Sequence, residues 1–170
     1  MKLLFILMIP FLTFANEFHN LKALDTKGKE LSFSSFKGKA VLVVNIATKC
    51  GYTGQLDDLE KLYQENQKDL VIVGVPSNDF GSQTPENDQE VAKFCRLKYG
   101  VSFPITKKVA VKGKDAPKFM QNILSSAGGE EIKWNFEKFL FDKNGEFVAR
   151  FPSNKKPMEI SSDLKKLLKK

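Results

Sequence analysis

The chain has 170 residues, 42% of them hydrophobic, with a formal net charge of +7, two cysteines and one histidine. That length suits a single domain able to bury its own core, and two cysteines exclude a disulfide-dense scaffold. One histidine and two distant cysteines supply no usual zinc cluster, and the lysines are scattered among acidic residues without the aromatic interleaving that marks a nucleic-acid surface.

Residues 1–15, MKLLFILMIPFLTFA, carry one Lys after Met1, a short apolar core and small residues three and one positions before Asn16. The run is short for a membrane span and is interrupted by Pro10, so it reads as a cleaved signal peptide with no stable membrane partner. This predicts a periplasmic or secreted protein with one domain over 16–170.

Along that domain, residues 21–33 hold two short segments around Asp25-Thr26-Lys27-Gly28-Lys29, a small hairpin. A turn at 36–39 delivers the chain into Val41-Leu42-Val43-Val44, an apolar run suited to a strand buried on both faces. Leu56, Leu59, Leu62 and Tyr63 then fall on one helical face, predicting a helix over 55–67. Residues 70–75, LVIVGV, form a second buried strand. The polar loop 76–85 leaves its C-terminal end, where open α/β sheets gather their functional groups.

A helix capped near residues 86–88 runs through Val91, Phe94, Cys95 and Tyr99 to Gly100. Phe103-Pro104-Ile105 is extended. A further helix is expected over 115–124 with Pro117 in its first turn, followed by a break at Ala127-Gly128-Gly129. Strands over 136–141 and 146–151 flank Asp142-Lys143-Asn144-Gly145, a hairpin signal, and a final helix over 160–168 docks by its leucines. Two parallel strands with a crossover helix, then an antiparallel pair, predict an α/β domain with a mixed central sheet flanked by helices. No internal repeat or linker interrupts it.

The chemistry centres on Cys50, where strand, turn and helix meet. A helix N-terminus favours the thiolate, making Cys50 a candidate nucleophile; the competing reading is a small buried apolar side chain. The lone histidine, His19, reads as a surface residue near the start of the mature domain and no partner for a Cys–His dyad. No glycine fingerprint for phosphate or dinucleotide occurs either. What remains is a thiolate attacking a weak bond such as a peroxide O–O, passing through a sulfenic acid. That reaction calls for neutral hydrogen-bond donors to the developing charge, and Gln83, Trp134 and Asn135 are the candidates.

Three stretches carry a resemblance. Asn45-Ile46-Ala47-Thr48-Lys49-Cys50-Gly51-Tyr52-Thr53, Pro76-Ser77-Asn78-Asp79-Phe80-Gly81-Ser82-Gln83 and Lys133-Trp134-Asn135-Phe136-Glu137-Lys138-Phe139 resemble, in order and at similar spacing, the three signatures of the glutathione peroxidase family. The resemblance covers essentially the whole domain. It implies a thioredoxin-like fold, reduction of hydrogen peroxide and organic hydroperoxides, and no cofactor or metal. Cys50 would be the peroxidatic residue, with Gln83, Trp134 and Asn135 completing a catalytic tetrad. Ser77 and Asp79 depart from residues that the family often carries as Cys and Gln, and Thr84 from a frequent Glu.

Phe94-Cys95, Tyr99-Gly100-Val101 and Phe103-Pro104 resemble the cysteine-containing, thioredoxin-dependent branch, which implies that Cys95 resolves oxidised Cys50 as a disulfide. Since bridged Cα atoms lie within roughly 7 Å, a helical Cys95 requires local unwinding. The short stretch from Phe119 to Trp134 lacks the insertion of tetrameric members, implying a monomer reduced by a thioredoxin-like protein, with glutathione as a slower donor. Two other readings stay open. One is a thiol–disulfide oxidoreductase, though Cys50-Gly51-Tyr52-Thr53 lacks a second cysteine; the other is a noncatalytic binding module stapled by Cys50 and Cys95.

Overall fold

The two longest apolar runs of the domain lie side by side. A computed structural model describes residues 17–168; the expected leader lies outside them. After a 3₁₀ turn at Glu17–Asn20, strands β1 (Lys22–Leu24) and β2 (Glu30–Ser32) form the expected antiparallel hairpin. Then follow β3 (Ala40–Ile46), α1 (Gln55–Asn66), β4 (Leu70–Pro76), α2 (Asp88–Tyr99), α3 (Lys118–Ser126), β5 (Lys138–Phe141), β6 (Phe147–Phe151) and α4 (Pro157–Leu168). Strand β3 pairs parallel with β4 and antiparallel with β5, giving the order β4-β3-β5-β6.

Every residue of β3 and β4 is buried, as a sheet covered on both faces requires. Alternation along the strands divides the core in two. Val41, Val43, Val73, Phe139 and Phe141 pack with Phe18, Phe33 and α3 on one face. Leu42, Val44, Ile72 and Leu140 pack with α1, α2 and α4 on the other, where Cys95 is buried and Cys50 lies against the cluster.

Four expectations are corrected. Helix α3 begins at Lys118, because a residue preceding proline avoids the α region and Pro117 itself is extended, with ψ 158°, as the N-cap. Strand β5 begins at Lys138, since Phe136 is left-handed at φ 66°. Helix α4 begins earlier than expected, at Pro157, and docks by Pro157, Ile160 and Leu164, all buried. His19 is not a surface residue: it is 6% exposed, with Nδ1 3.4 Å from the Phe33 carbonyl and its ring edge-on to Phe18. The 3₁₀ turn folds it onto the aromatic cluster, the sheet face opposite the two cysteines.

One cation is sealed inside the cysteine-bearing half. Lys138 is fully buried, its Nζ donating to the carbonyls of Phe136 at 2.8 Å and Ser153 at 3.5 Å. Burial pushes its pKa down from 10.5 to about 8, against the opposing pull of Glu137 and Glu159. A base whose folded pKa is depressed destabilises the fold while both states are protonated, and the penalty lifts as pH climbs from the folded to the unfolded value. Between pH 8 and 10.5, wild type should therefore gain roughly 3 kcal/mol relative to Lys138→Met in denaturant melts. A pH-independent difference between the two proteins would show that the buried ammonium is not under this strain.

Candidate active site

The chain leaves β3 at Ile46 and reaches Cys50 through an irregular turn. Helix α1 does not begin until Gln55, so the thiol is not in the first helical turn. The residues between wind through short-range bonds: the Thr53 amide donates to the Cys50 carbonyl, and the Gln55 amide to that of Tyr52. Within this turn the Tyr52 amide points at Cys50 Sγ, 3.4 Å away. Thr53 occupies the position where a Cys-x-x-Cys motif would carry its second thiol. Its buried hydroxyl instead accepts the Cys50 amide at 2.9 Å and donates to the Ala47 carbonyl at 3.0 Å, closing the turn.

The loop after β4 is fastened to this turn. The Gln83 carbonyl accepts the amides of Thr48 at 3.2 Å and Lys49 at 2.9 Å, just before Cys50. Its side-chain Oε1 accepts Nδ2 of Asn135 at 3.0 Å. Gln83 thus touches both the cysteine turn and the third signature. Glu86 strengthens the attachment, accepting the Thr48 hydroxyl at 2.6 Å and pairing with Lys49 at 3.3 Å. Burial pushes the Glu86 carboxyl up, but the Thr48 bond and Lys49 outweigh it and leave its pKa lowered.

The departing residues have local tasks. Ser77 Oγ accepts the Asp79 amide, and Asp79 Oδ2 accepts the Val111 amide at 2.7 Å. Thr84 is fully buried, its amide donating to Asn78 Oδ1.

Asn135 is buried and Trp134 is 40% exposed. The indole lies 5.7 Å from the Phe80 ring and borders, with Tyr52, a cleft of about 480 Å³. The Trp134 carbonyl accepts Nδ2 of Asn45 at 3.1 Å, while Asn45 Oδ1 accepts the Glu137 amide at 2.8 Å. Among the described residues, the non-glycines with positive φ are Ser82, at 52°, and Phe136, at 66°. They adjoin Gln83 and Asn135. Such conformations cost of order 1–3 kcal/mol and persist only where the surroundings over-determine them.

Cys95 is 1% exposed in the middle of α2, and burial pushes its thiol pKa up to about 12. The helix is secured at both ends, by a capping box between Asn87 and Glu90 and by a left-handed Gly100. Cys50 and Cys95 are both free thiols in this structure.

Sequence reasoning missed Asn45, Tyr52, Thr53 and Glu86 as parts of this site. A lone Asn inside the apolar run of β3 was a signal for the first, because a buried amide needs partners. Tyr52 acts through its backbone amide, which its side-chain type does not announce, and Thr53 through a hydroxyl whose partners, Cys50 and Ala47, only the folded turn brings together.

Comparison with known proteins agrees with this arrangement. Residues 18–124 match the family model for glutathione peroxidase. The chain is 46% identical over 158 residues to glutathione peroxidase-like peroxiredoxin 2 of Saccharomyces cerevisiae, covering 90% of this chain and 98% of that protein. The crystal structure of Trgpx in apo form superposes with a TM-score of 0.73 at 35% identity, covering 90% of this chain and 95% of that one. A thiol:disulfide interchange protein of the thioredoxin family from Chlorobium tepidum, 19% identical, superposes with a TM-score of 0.67 over 87% of this chain and 92% of its own. That last likeness is one of fold alone: the domain is thioredoxin-like, with a mixed sheet between helices. The chain belongs to the glutathione peroxidase family, and it is a peroxidase.

Proposed function

We propose that this protein is an exported thiol peroxidase that reduces hydrogen peroxide and organic hydroperoxides through Cys50. The observation that carries the reading is Gln83, which bonds by its carbonyl to the turn preceding Cys50 and by its side chain to Asn135. Three signatures remote in sequence thereby meet in one place, and beside it Trp134 borders, with Tyr52, a cleft that Glu137 and Arg150 also line.

In the first step the Cys50 thiolate attacks one peroxide oxygen. The S–O bond forms, the O–O bond breaks, and the departing oxygen takes a proton to leave as water or an alcohol, with Cys50 as sulfenic acid. Gln83, Trp134 and Asn135 supply neutral N–H groups to the oxygen that becomes negative, and the Tyr52 amide does the same for the sulfur. In the second step Cys95 attacks the sulfenic sulfur, forming the Cys50–Cys95 disulfide and releasing water. A thioredoxin-like dithiol then gives up two electrons and two protons to restore both thiols, with glutathione a slower donor; the protein acts as a monomer.

The second step explains why Cys95 is held as it is. A thiol with a pKa of about 12, buried in a capped helix, is inert until α2 opens. Unwinding both exposes it and brings it towards Cys50. Export rests on the sequence of residues 1–15.

Four outcomes test this reading. Cys50→Ser should abolish peroxide consumption in a coupled thioredoxin assay while circular dichroism stays native. A thiol reagent applied to the native reduced protein should add one label, at Cys50, with Cys95 reacting only after denaturant, as read by peptide mass. One equivalent of peroxide should remove two hydrogens from the wild-type mass, whereas Cys95→Ser should stop at a trappable sulfenic acid; a stable sulfenic acid in wild type would rule out resolution by Cys95. N-terminal sequencing of the mature protein should start at Asn16.

A further inference from the structure

The stretch that carries Trp134 and Asn135 has no helix or strand of its own from 130 to 137. One ion pair grips its backbone instead. The side chains of Glu137 and Arg150 are only 6% and 17% exposed, and Arg150 Nη2 meets Glu137 Oε2 at 2.7 Å. Arg150 Nε donates to the same oxygen at 2.8 Å. The other carboxylate oxygen, Oε1, accepts the amides of Lys133 at 2.6 Å and Trp134 at 3.3 Å. Arg150 also donates from Nη1 to the Glu130 carbonyl at 2.9 Å and from Nη2 to the Glu131 carbonyl at 2.8 Å. Its guanidinium lies 5.1 Å from the centre of the Phe139 ring, on strand β5.

A buried ion pair seldom stabilises a fold more than apolar side chains of the same volume, because desolvation offsets the attraction. Stability alone therefore does not account for this pair, whereas its geometry does. Each partner sends its remaining hydrogen-bonding capacity into residues 130–134. The Trp134 peptide is held from both sides, its N–H by Glu137 and its carbonyl by Asn45. Beyond it lies left-handed Phe136, a conformation that demands an outside hold.

We propose that Glu137 and Arg150 are positioning residues for the peroxidase step, fixing the Trp134–Asn135 backbone so that both side chains stand as donors to the departing oxygen. This rests on the reading that Trp134 and Asn135 serve that oxygen. The pair itself touches neither sulfur nor peroxide in this scheme. It acts through the loop.

The test separates two reactions of the same sulfur. Oxidation by hydrogen peroxide needs the donors; alkylation by iodoacetamide needs only the thiolate. We expect Glu137→Ala and Arg150→Gln to slow Cys50 oxidation by about 10- to 100-fold, the loss that a misplacement of about 1 Å brings, with alkylation little changed. Trp134 is the only tryptophan, so its fluorescence reports the loop directly and should become more open to acrylamide quenching in both variants. Glu137→Gln keeps an oxygen for the two amides and should lose less than Glu137→Ala. Arg150→Gln carries the test alone if Glu137→Ala does not fold. Folded variants that oxidise at the wild-type rate overturn the proposal, as does a loss shared equally by oxidation and alkylation. A wild-type protein whose Cys50 ignores peroxide overturns the underlying reading instead.

Discussion

Asn45 is the interaction on which the site is built. At the end of β3 it is 1% exposed, and each of its hydrogen-bonding groups has a partner. Its amide donates to the Glu137 carbonyl, and its carbonyl accepts the Phe136 amide at 2.7 Å. Its side chain reaches the Trp134 carbonyl and the Glu137 amide. A buried carboxamide with an empty valence is costly, and a fully paired one specifies a single arrangement. The residue that delivers the chain towards Cys50 is therefore also the one that fastens residues 134–137. Its satisfied amide prolongs the pairing of β3 with β5 past the point where ordinary strand geometry ends. That prolongation brings the third signature alongside the cysteine turn.

The two cysteines share one apolar cluster but live under opposite constraints. Cys50 sits in an irregular turn closed by local bonds and fastened by Gln83 and Glu86, with an amide directed at its sulfur. Cys95 sits in a helix whose ends are both secured and whose buried face includes Val91. In the proposed cycle the first cysteine must be ready at all times and the second must be released. Local opening of a capped helix is a low-population event, so the resolving step, and not the peroxide step, carries the conformational cost. Glu86 stands where the two demands meet: it pairs with Thr48 and Lys49 in the cysteine turn and immediately precedes Asn87, the N-cap of α2.

The sheet was legible because its signals are strong: two apolar runs of strand length, an Asn-Gly hairpin and a helix with a recognisable cap. The remaining elements followed from helical spacing of leucines and from turn residues between the runs. The ends of elements were less legible where one residue overrides a pattern. Pro117 displaced the start of α3 by its extended ψ, and Phe136 delayed the start of β5 to Lys138 by turning left-handed. Neither Phe136 nor Ser82 advertises a positive φ, since glycine is the usual marker for that region. His19 was misread because burial near a chain end depends on a distant aromatic cluster, here Phe18 against Phe33 and Phe141. The three motifs were legible as motifs, but the hydrogen bonds of Gln83 and Asn45 that join them belong to the tertiary fold.

The placement of charge bears on why the proposed chemistry uses neutral donors. His19 packs on the far face of the sheet. Lys49, next to Cys50, is engaged by Glu86, and Arg150 by Glu137. Lys138 spends its ammonium on the carbonyls of Phe136 and Ser153. These three cations thus hold backbone and loops, and in the proposed scheme amides and an indole meet the peroxide. Groups that cannot titrate keep the same hydrogen-bonding character at every pH the enzyme meets, so the donors themselves add no ionisation to the proposed first step. A histidine base would add a second ionisation and would be charged or neutral according to its surroundings. With donors of constant character, the proposed step depends on where those donors are held, and that is the place in the scheme of the Glu137–Arg150 grip on residues 130–134.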